Sequence, residues 1–422
     1  MILVVVDEIN ERISYTFDFI FKSRGIEFAL TTNESKEEKA AHSVLVYSEK
    51  ETGKNTILAA PIMTSKKIEN HQISKSNFQN EECLAFDEVT DPIASIFYLL
   101  SRYEEYVCLN KDEHNRFPFI ESLLNKFNWI EKAMCDRLAK EILLFIGVDV
   151  QPPKNIEIIP TFDIDNTFAY QLKSGKQKIM SVCKDLFQLN FSRLKERKSV
   201  LNGELKDPYD TFDKIKGIAQ RFPATKVFWL VGELAEKDRN ISIFNVEHQD
   251  LIREINATSS VNLHPSYASF LSLERLQKEK QNLEETIHRK ITASRQHFLR
   301  FQLPDSFRLL EKVGFRDEYS MGFAEKIGFR SSTAHEHLWF DLEQNRISNL
   351  TIHPFVYMDG TLNEYMQLSI DESKIRIKEL YNEVLQFGGD FVFLWHNETI
   401  GDYQKWEEWS SVLEFTLNLG DE

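Results

Sequence analysis

Four short stretches of the chain carry residue types that can do acid–base or metal chemistry. The first is Thr161-Phe162-Asp163-Ile164-Asp165, directly after the apolar run Ile156–Pro160. Two carboxylates two residues apart at a strand end can divide labour, one holding a cation while the other takes a proton. The same pattern also fits an Asx turn that caps a following helix. The second is Val261-Asn262-Leu263-His264-Pro265-Ser266, where a neutral imidazole at a strand end is either a metal ligand or a structural histidine. The third, Ser294-Arg295-Gln296-His297-Phe298-Leu299-Arg300, can hold an anion, orient a carboxylate or supply a ligand; surface charge is the alternative. The fourth is Phe391-Val392-Phe393-Leu394-Trp395-His396-Asn397-Glu398, whose histidine ends a very apolar run and suits a general acid.

Such residues need strands to carry them to one place. From Asn155 onward short apolar runs recur at Ile156–Phe162, Val227–Val231, Val261–Leu263, Phe298–Phe301, Leu350–Tyr357 and Phe391–Trp395. Long polar segments of helical periodicity separate them, Leu271–Ala293 being the clearest. Continuous apolar strands alternating with amphipathic helices predict parallel strands covered by helices. The α/β fold class that follows is a β/α barrel, complete or distorted, or a doubly wound open sheet. Active sites of such barrels assemble at the carboxyl ends of the strands, where the four stretches lie.

Before Gln151-Pro152-Pro153-Lys154 the texture differs. Strands are expected at Ile2–Val6, Ser43–Tyr47 and Thr56–Ala60, and helices near Pro92–Val107 and Ile130–Ile146. The prolines mark a boundary, giving a smaller N-terminal α/β domain over residues 1–152, of no assigned role, and a second domain over 153–422. The chain of 422 residues is long for one core. The 32 Phe are read as a packed interior ahead of a sugar-stacking surface.

A net charge of −15 argues against nucleic acid as a partner. The opening Met1-Ile2-Leu3-Val4-Val5-Val6 lacks a basic leader and reads as a strand, and no apolar stretch reaches transmembrane length, so a cytoplasmic location is expected. Cys83, Cys108, Cys135 and Cys183 show no paired spacing, as expected of thiols in a reducing compartment. One segment runs against the overall charge. Between Leu172 and Val200 stand Lys173, Lys176, Lys178, Lys184, Arg193, Lys195, Arg197 and Lys198, interleaved with Ile179, Met180, Val182, Leu186, Phe187 and Leu189. A solvated helical insertion or a contact with a membrane surface or anionic partner fits.

Taken in order, Asp-x-Asp, His, Arg-x-His and Trp-His-Asn resemble the motif series of the polysaccharide-deacetylase family (NodB homology, carbohydrate esterase family four). Thr161-Phe162-Asp163-Ile164-Asp165 is similar to that family's Thr-Phe-Asp-Asp with one residue inserted, and Leu394-Trp395-His396 to its Leu-x-x-His strand end. The resemblance covers Asn155 to the C-terminus; with Gly328-Phe329-Arg330 it looks like a divergent bacterial subgroup carrying an extra N-terminal domain. It implies a distorted (β/α) barrel and a hydrolase that removes an acyl (acetyl) group from an N-acetylated sugar or polysaccharide precursor. It further implies a divalent cation, usually zinc, held by Asp165 and His264, with Asp163 as base, Arg295 orienting it and His396 as acid. The family's second metal histidine falls at Ala268; His297 is the candidate replacement, and failing it the metal is weakly held or absent. The substrate class would be carbohydrate or another N-acylated small molecule. A catalytically inactive, glycan-binding or scaffold version of the same fold is the alternative. Arg330, with His353 to Asp359, is a further candidate for lining the pocket, whereas His335 and His337 are read as loop residues.

Overall fold

A computed structural model of the chain describes all residues except 33–42, 52, 54 and 422. The first third holds two small sheets. Strands β1 (Ile2–Val6), β2 (Phe28–Thr31), β3 (Ser43–Ser48) and β4 (Thr56–Leu58) pair in parallel in the order β2-β1-β3-β4. Strands β5 (Ile73–Phe78), β6 (Glu81–Phe86) and β7 (Val89–Thr90) form an antiparallel meander. Every residue of β1 is buried, as its unbroken Val/Ile/Leu run requires of a central parallel strand.

The rest of the chain builds one sheet of nine strands: β8 (Ile158–Ile164), β9 (Lys226–Leu230), β10 (Ser260–His264), β11 (Ala293–Ser294), β12 (Asp317–Glu318), β13 (His337–Asp341), β14 (Arg346–Ile352), β15 (Tyr357–Met358) and β16 (Phe391–His396). Their order is β13-β14-β12-β11-β10-β9-β8-β16-β15, and only the β13–β14 pair is antiparallel. The two edges are not joined among the described residues, so the sheet is open and its closure into a barrel is not seen. Helices such as Phe212–Arg221, Val246–Asn256, Leu273–Ile287 and Ile370–Phe387 cover one face. The Thr161 hydroxyl adds a side-chain tie between β8 and β16, donating to the carbonyl of Phe393 at 2.5 Å.

Strand alternation sorts the chemistry onto one face. Phe162, Ile164, Trp229, Val261, Leu263, Phe393 and Trp395 enter the large core beneath the helices. Ile159, Phe228, Ala293, Val392 and Leu394, of opposite parity, form a second, smaller core on the other face. Asp163 and Asp165 share the parity of Ile159, His396 that of Val392, and Arg295 and His297 that of Ala293. His264 has the parity opposite to Val261 and Leu263. Asp163, His264 and His396 therefore stand on this second face, and Asp165, Arg295 and His297 follow just beyond the carboxyl ends of β8 and β11.

Three expected elements differ. Phe298–Phe301 is not a strand: the paired residues are Ala293–Ser294, and His297–Leu299 is a short 3-10 turn with Phe298 at φ 62° and Leu299 at φ 51°. The Phe298 ring is held among His114, Tyr267 and His297 instead of lying along a ladder. The run Leu350–Tyr357 splits at Pro354, which cannot donate to a ladder, into β14 and β15. Pro92–Val107 breaks into Pro92–Leu100 and Tyr103–Val107 because Arg102 adopts φ 55°, buried between Glu104 and Glu105. No helix among the described residues is long and apolar enough to cross a membrane.

Candidate active site

The carboxyl ends of β8, β10, β11 and β16 meet at an open cavity of about 320 Å³ whose walls include Asp163, Asp165, His264, His297 and His396. Register brings them there: His396 lies opposite Asp163 across the β16–β8 pair, and Leu263 opposite Ser294 across β10–β11. Arg295 follows β11 and is fully buried behind the cavity floor.

Asp165, His264 and His297 each place a ligand atom within 4.8 Å of the others. His264 Nε2 is 3.2 Å from Asp165 Oδ1, and His297 Nε2 is 3.4 Å from Asp165 Oδ2. Both imidazoles are anchored through their other nitrogen. His264 Nδ1 donates to the Arg295 carbonyl at 2.6 Å, and His297 Nδ1 donates to Asp238 Oδ1 at 2.9 Å. With both Nδ1 protons so held, each Nε2 would be free to offer its lone pair to a cation bound beside Asp165. Asp165 Oδ1 is buried with no hydrogen-bond partner, an expensive state for an oxygen unless a cation takes it. Two imidazoles and a carboxylate, two of them backed by acceptors, fit a zinc-type donor set with room for substrate and water.

Asp163 stands beside this trio. Its Oδ1 accepts from Arg295 Nη1 at 3.0 Å, and its Oδ2 is 3.7 Å from His264 Nε2. Arg295 is in turn fixed by donating from Nε to the Tyr319 carbonyl, and its guanidinium lies over the Phe228 ring at 4.6 Å. Across the cavity His396 Nδ1 donates to Asp359 Oδ1 at 2.8 Å, which leaves Nε2 facing the pocket, 3.9 Å from Asp165 Oδ2. Asp359 also accepts from the His396 backbone N–H, the Gly360 N–H and the Thr399 hydroxyl.

The field of these carboxylates favours positive charge at the centre. Burial opposes charge on His297, but Asp165 and Asp238 outweigh it and raise it to about 9. Burial likewise opposes charge on His396, and Asp359, followed by Asp165 and Asp163, lifts it well above the usual imidazole range. Burial would raise Asp165, yet His297 and His264 hold it well below the ordinary carboxylate range. Glu398, at the cavity wall, is pushed up to about 7 by burial and by the neighbouring Asp165.

Asp163, Asp165, His264, Arg295, His297 and His396 are thus brought into one constellation. Ala268 contributes no side-chain donor; its backbone N–H, with that of Tyr267, donates to Asp238. Arg330 is not in the cavity: both its Nε and Nη2 donate to Glu105, and its guanidinium stacks on Phe301 and Phe323. His353 stacks on Tyr319 and pairs with Asp317. His335 and His337 lie elsewhere, and His337 opens β13 and is buried, a correction to its reading as a loop residue. Asp238 had no assigned role in the sequence reading. It sits in a polar loop 59 residues before His297, and no local pattern marks it. Arg116, from the first third of the chain, also reaches the cavity wall, donating to the Phe298 carbonyl at 2.8 Å.

Residues 2–147 match the model of a family of unknown function, DUF7033. No curated protein matches the sequence. Among solved structures, a candidate polysaccharide deacetylase from Mycobacterium smegmatis aligns over 63% of this chain and 85% of its own, at 14% identity and a TM-score of 0.38. IcaB from Ammonifex degensii aligns over 39% of this chain and 83% of its own, at 17% identity and a TM-score of 0.23. The polysaccharide deacetylase Bc1974 from Bacillus cereus aligns over 63% and 86%, at 11% identity and a TM-score of 0.28.

Proposed function

We propose that the protein is a metal-dependent hydrolase that cleaves a carbon–nitrogen amide bond, removing an acetyl or similar acyl group from an N-acylated sugar or polysaccharide precursor. The observation that carries this reading is the meeting of the Asp165, His264 and His297 trio with Asp163–Arg295 on one side and His396–Asp359 on the other. The motif order in the sequence supports the carbohydrate class of substrate. In this reading residues 153–422 are the catalytic part, the open sheet is a distorted barrel, and residues 1–152 are a smaller N-terminal domain packed against it.

Asp165, His264 and His297 would hold the cation. When bound, a divalent ion such as zinc polarises the amide carbonyl and acidifies water at the site. Asp163 takes the proton of the attacking water, whose oxygen bonds to the carbonyl carbon. Arg295 keeps one carboxylate oxygen of Asp163 occupied, so the other faces the reacting atoms. The C–N bond then breaks, and His396 gives its Nε2 proton to the departing amine. Asp359 holds that imidazole by Nδ1 and favours its charged form.

An amide panel built on N-acetylated sugars tests the assignment. Hydrolysis is expected, with loss on chelation, recovery on adding zinc, and a drop of about 10²-fold or more in Asp163→Asn. Unchanged turnover in that variant would overturn it. A protein that binds N-acetylated glycans, carries no stoichiometric ion and hydrolyses none of them is a binding module; Ala268, where a metal histidine is expected, is the feature that favours it.

A further inference from the structure

The basic segment noted in the sequence is an antiparallel helical hairpin, Gly175–Phe187 and Phe191–Leu201, turned at Leu189 with φ 53°. Asp185 of the first helix meets both Arg193 and Arg197 of the second, and Arg197 also takes the Ser181 hydroxyl. Its faces are reversed relative to a helix of a soluble core. The inward side of the first helix is the buried carboxylate of Asp185, whereas Ile179, Met180, Leu186 and Phe187 point outward at i, i+1, i+7 and i+8. Phe187 is 92% exposed and Met180 72%, and Leu189 and Phe191 continue the apolar surface around the turn.

Isolated exposed apolar residues need no explanation, but six gathered on one hairpin do. Their surroundings indicate the occupant. Between Leu172 and Val200 eight Lys or Arg stand against Asp185 and Glu196, a net +6 within a chain of net −15. Lys178, Lys184, Lys195 and Lys198 are exposed. An apolar convex tip fringed by lysines matches an anionic bilayer surface, which takes rings into its interface and attracts cations to its headgroups. A second copy of the chain would bring its own net −15 against this one, which opposes self-association.

We infer that this hairpin docks the protein peripherally on an anionic lipid surface, with Phe187, Leu189 and Phe191 entering the interface and the lysines meeting the headgroups. Its base is tied to the cavity mouth. Glu196 accepts from the hydroxyls of Tyr170 and Tyr403, Arg197 lies over the Tyr170 ring, and Tyr403 lines the cavity. The docked molecule therefore holds its cavity close to the membrane plane. The inference is independent of the catalytic assignment, because binding is read without substrate.

Flotation of the full chain with vesicles tests it. The protein is expected to float with phosphatidylcholine vesicles that contain phosphatidylglycerol, much less with phosphatidylcholine alone, and less again at about 1 M salt. Phe187→Asp with Phe191→Asp should weaken binding by roughly tenfold or more. Lys184→Glu with Lys195→Glu should abolish the preference for phosphatidylglycerol, and both variants should keep the wild-type circular dichroism. Absence of flotation with either vesicle overturns the proposal, as does unaltered binding in the Asp variant. So does a wild-type dimer in light scattering that the Asp variant makes monomeric, which would place the patch between two copies.

Discussion

The geometry of the proposed cation trio depends on a residue outside it. Asp238 is fully buried, receives the backbone N–H groups of Tyr267 and Ala268, and accepts the Nδ1 proton of His297. That bond selects the tautomer whose Nε2 lone pair is free for a cation bound beside Asp165. In Asp238→Asn an amide replaces one acceptor with a donor, so either a backbone N–H loses its partner or His297 changes tautomer and turns an N–H towards the cation. Partners of this kind are worth about 10- to 100-fold in metal affinity. Zinc affinity measured by chelator competition should fall by that order in Asp238→Asn, while Asp163→Asn, which leaves the trio's donors in place, should retain its ion. Equal affinity in wild type and Asp238→Asn would remove Asp238 from this role. The residues proposed to carry chemistry were legible as candidates because they follow apolar runs at strand ends. Asp238 was not, because its position against His297 exists only after folding.

At the scale of elements, the sheet is held to its helical cover by a polar lock as well as by apolar packing. His248, on the helix Val246–Asn256, is fully buried and donates from Nδ1 to the Ser242 carbonyl. Its Nε2 accepts from Trp229 Nε1 at 3.0 Å and faces the Thr167 hydroxyl at 2.9 Å. Protonating Nε2 would set two N–H groups against each other. Burial, together with Lys173, accordingly lowers His248 to about 4. The folded value lies below that of a free imidazole, so the contribution is complete above pH of about 6.5 and is lost as pH falls towards about 4, on the order of 3 kcal/mol. Urea unfolding at about pH 7 and about pH 4.5 should show a larger loss for wild type than for His248→Gln; parallel losses would refute the lock. Strands were readable from sequence where the apolar run was continuous, as in Phe391–Trp395 and Ile2–Val6. They were misread where an apolar run serves rings instead of a ladder, as at Phe298, or where a proline divides it, as at Pro354. The order of the strands was not readable, since nothing local tells β8 that its neighbours are β9 and β16.

Across the whole molecule, the N-terminal third is joined to the remainder by a shared core. Phe323, Phe340 and Leu342 belong to the apolar cluster built mainly from residues 2–146. Tyr15 donates to the Leu338 carbonyl, Arg12 to Asn345, and Arg137 pairs with both Glu81 and Glu383. At the centre Arg330 clasps Glu105 through two nitrogens, both side chains almost fully buried. Arg102 also meets Glu105, and together the two arginines hold that carboxylate below its ordinary range against the pull of burial. Removing Arg330 leaves Glu105 half-served in a dry setting, and breaking a buried pair from one side costs about 3 kcal/mol or more. Arg330→Leu should therefore lower stability by that order. Because the join is an interior and not a wet contact, the loss should appear on both sides of it: hydrogen exchange should accelerate together in peptides containing Trp129 and in peptides containing Trp395. Acceleration confined to one side would mean that the two parts open independently, and that Arg116 reaches the cavity wall from a body free to move away from it.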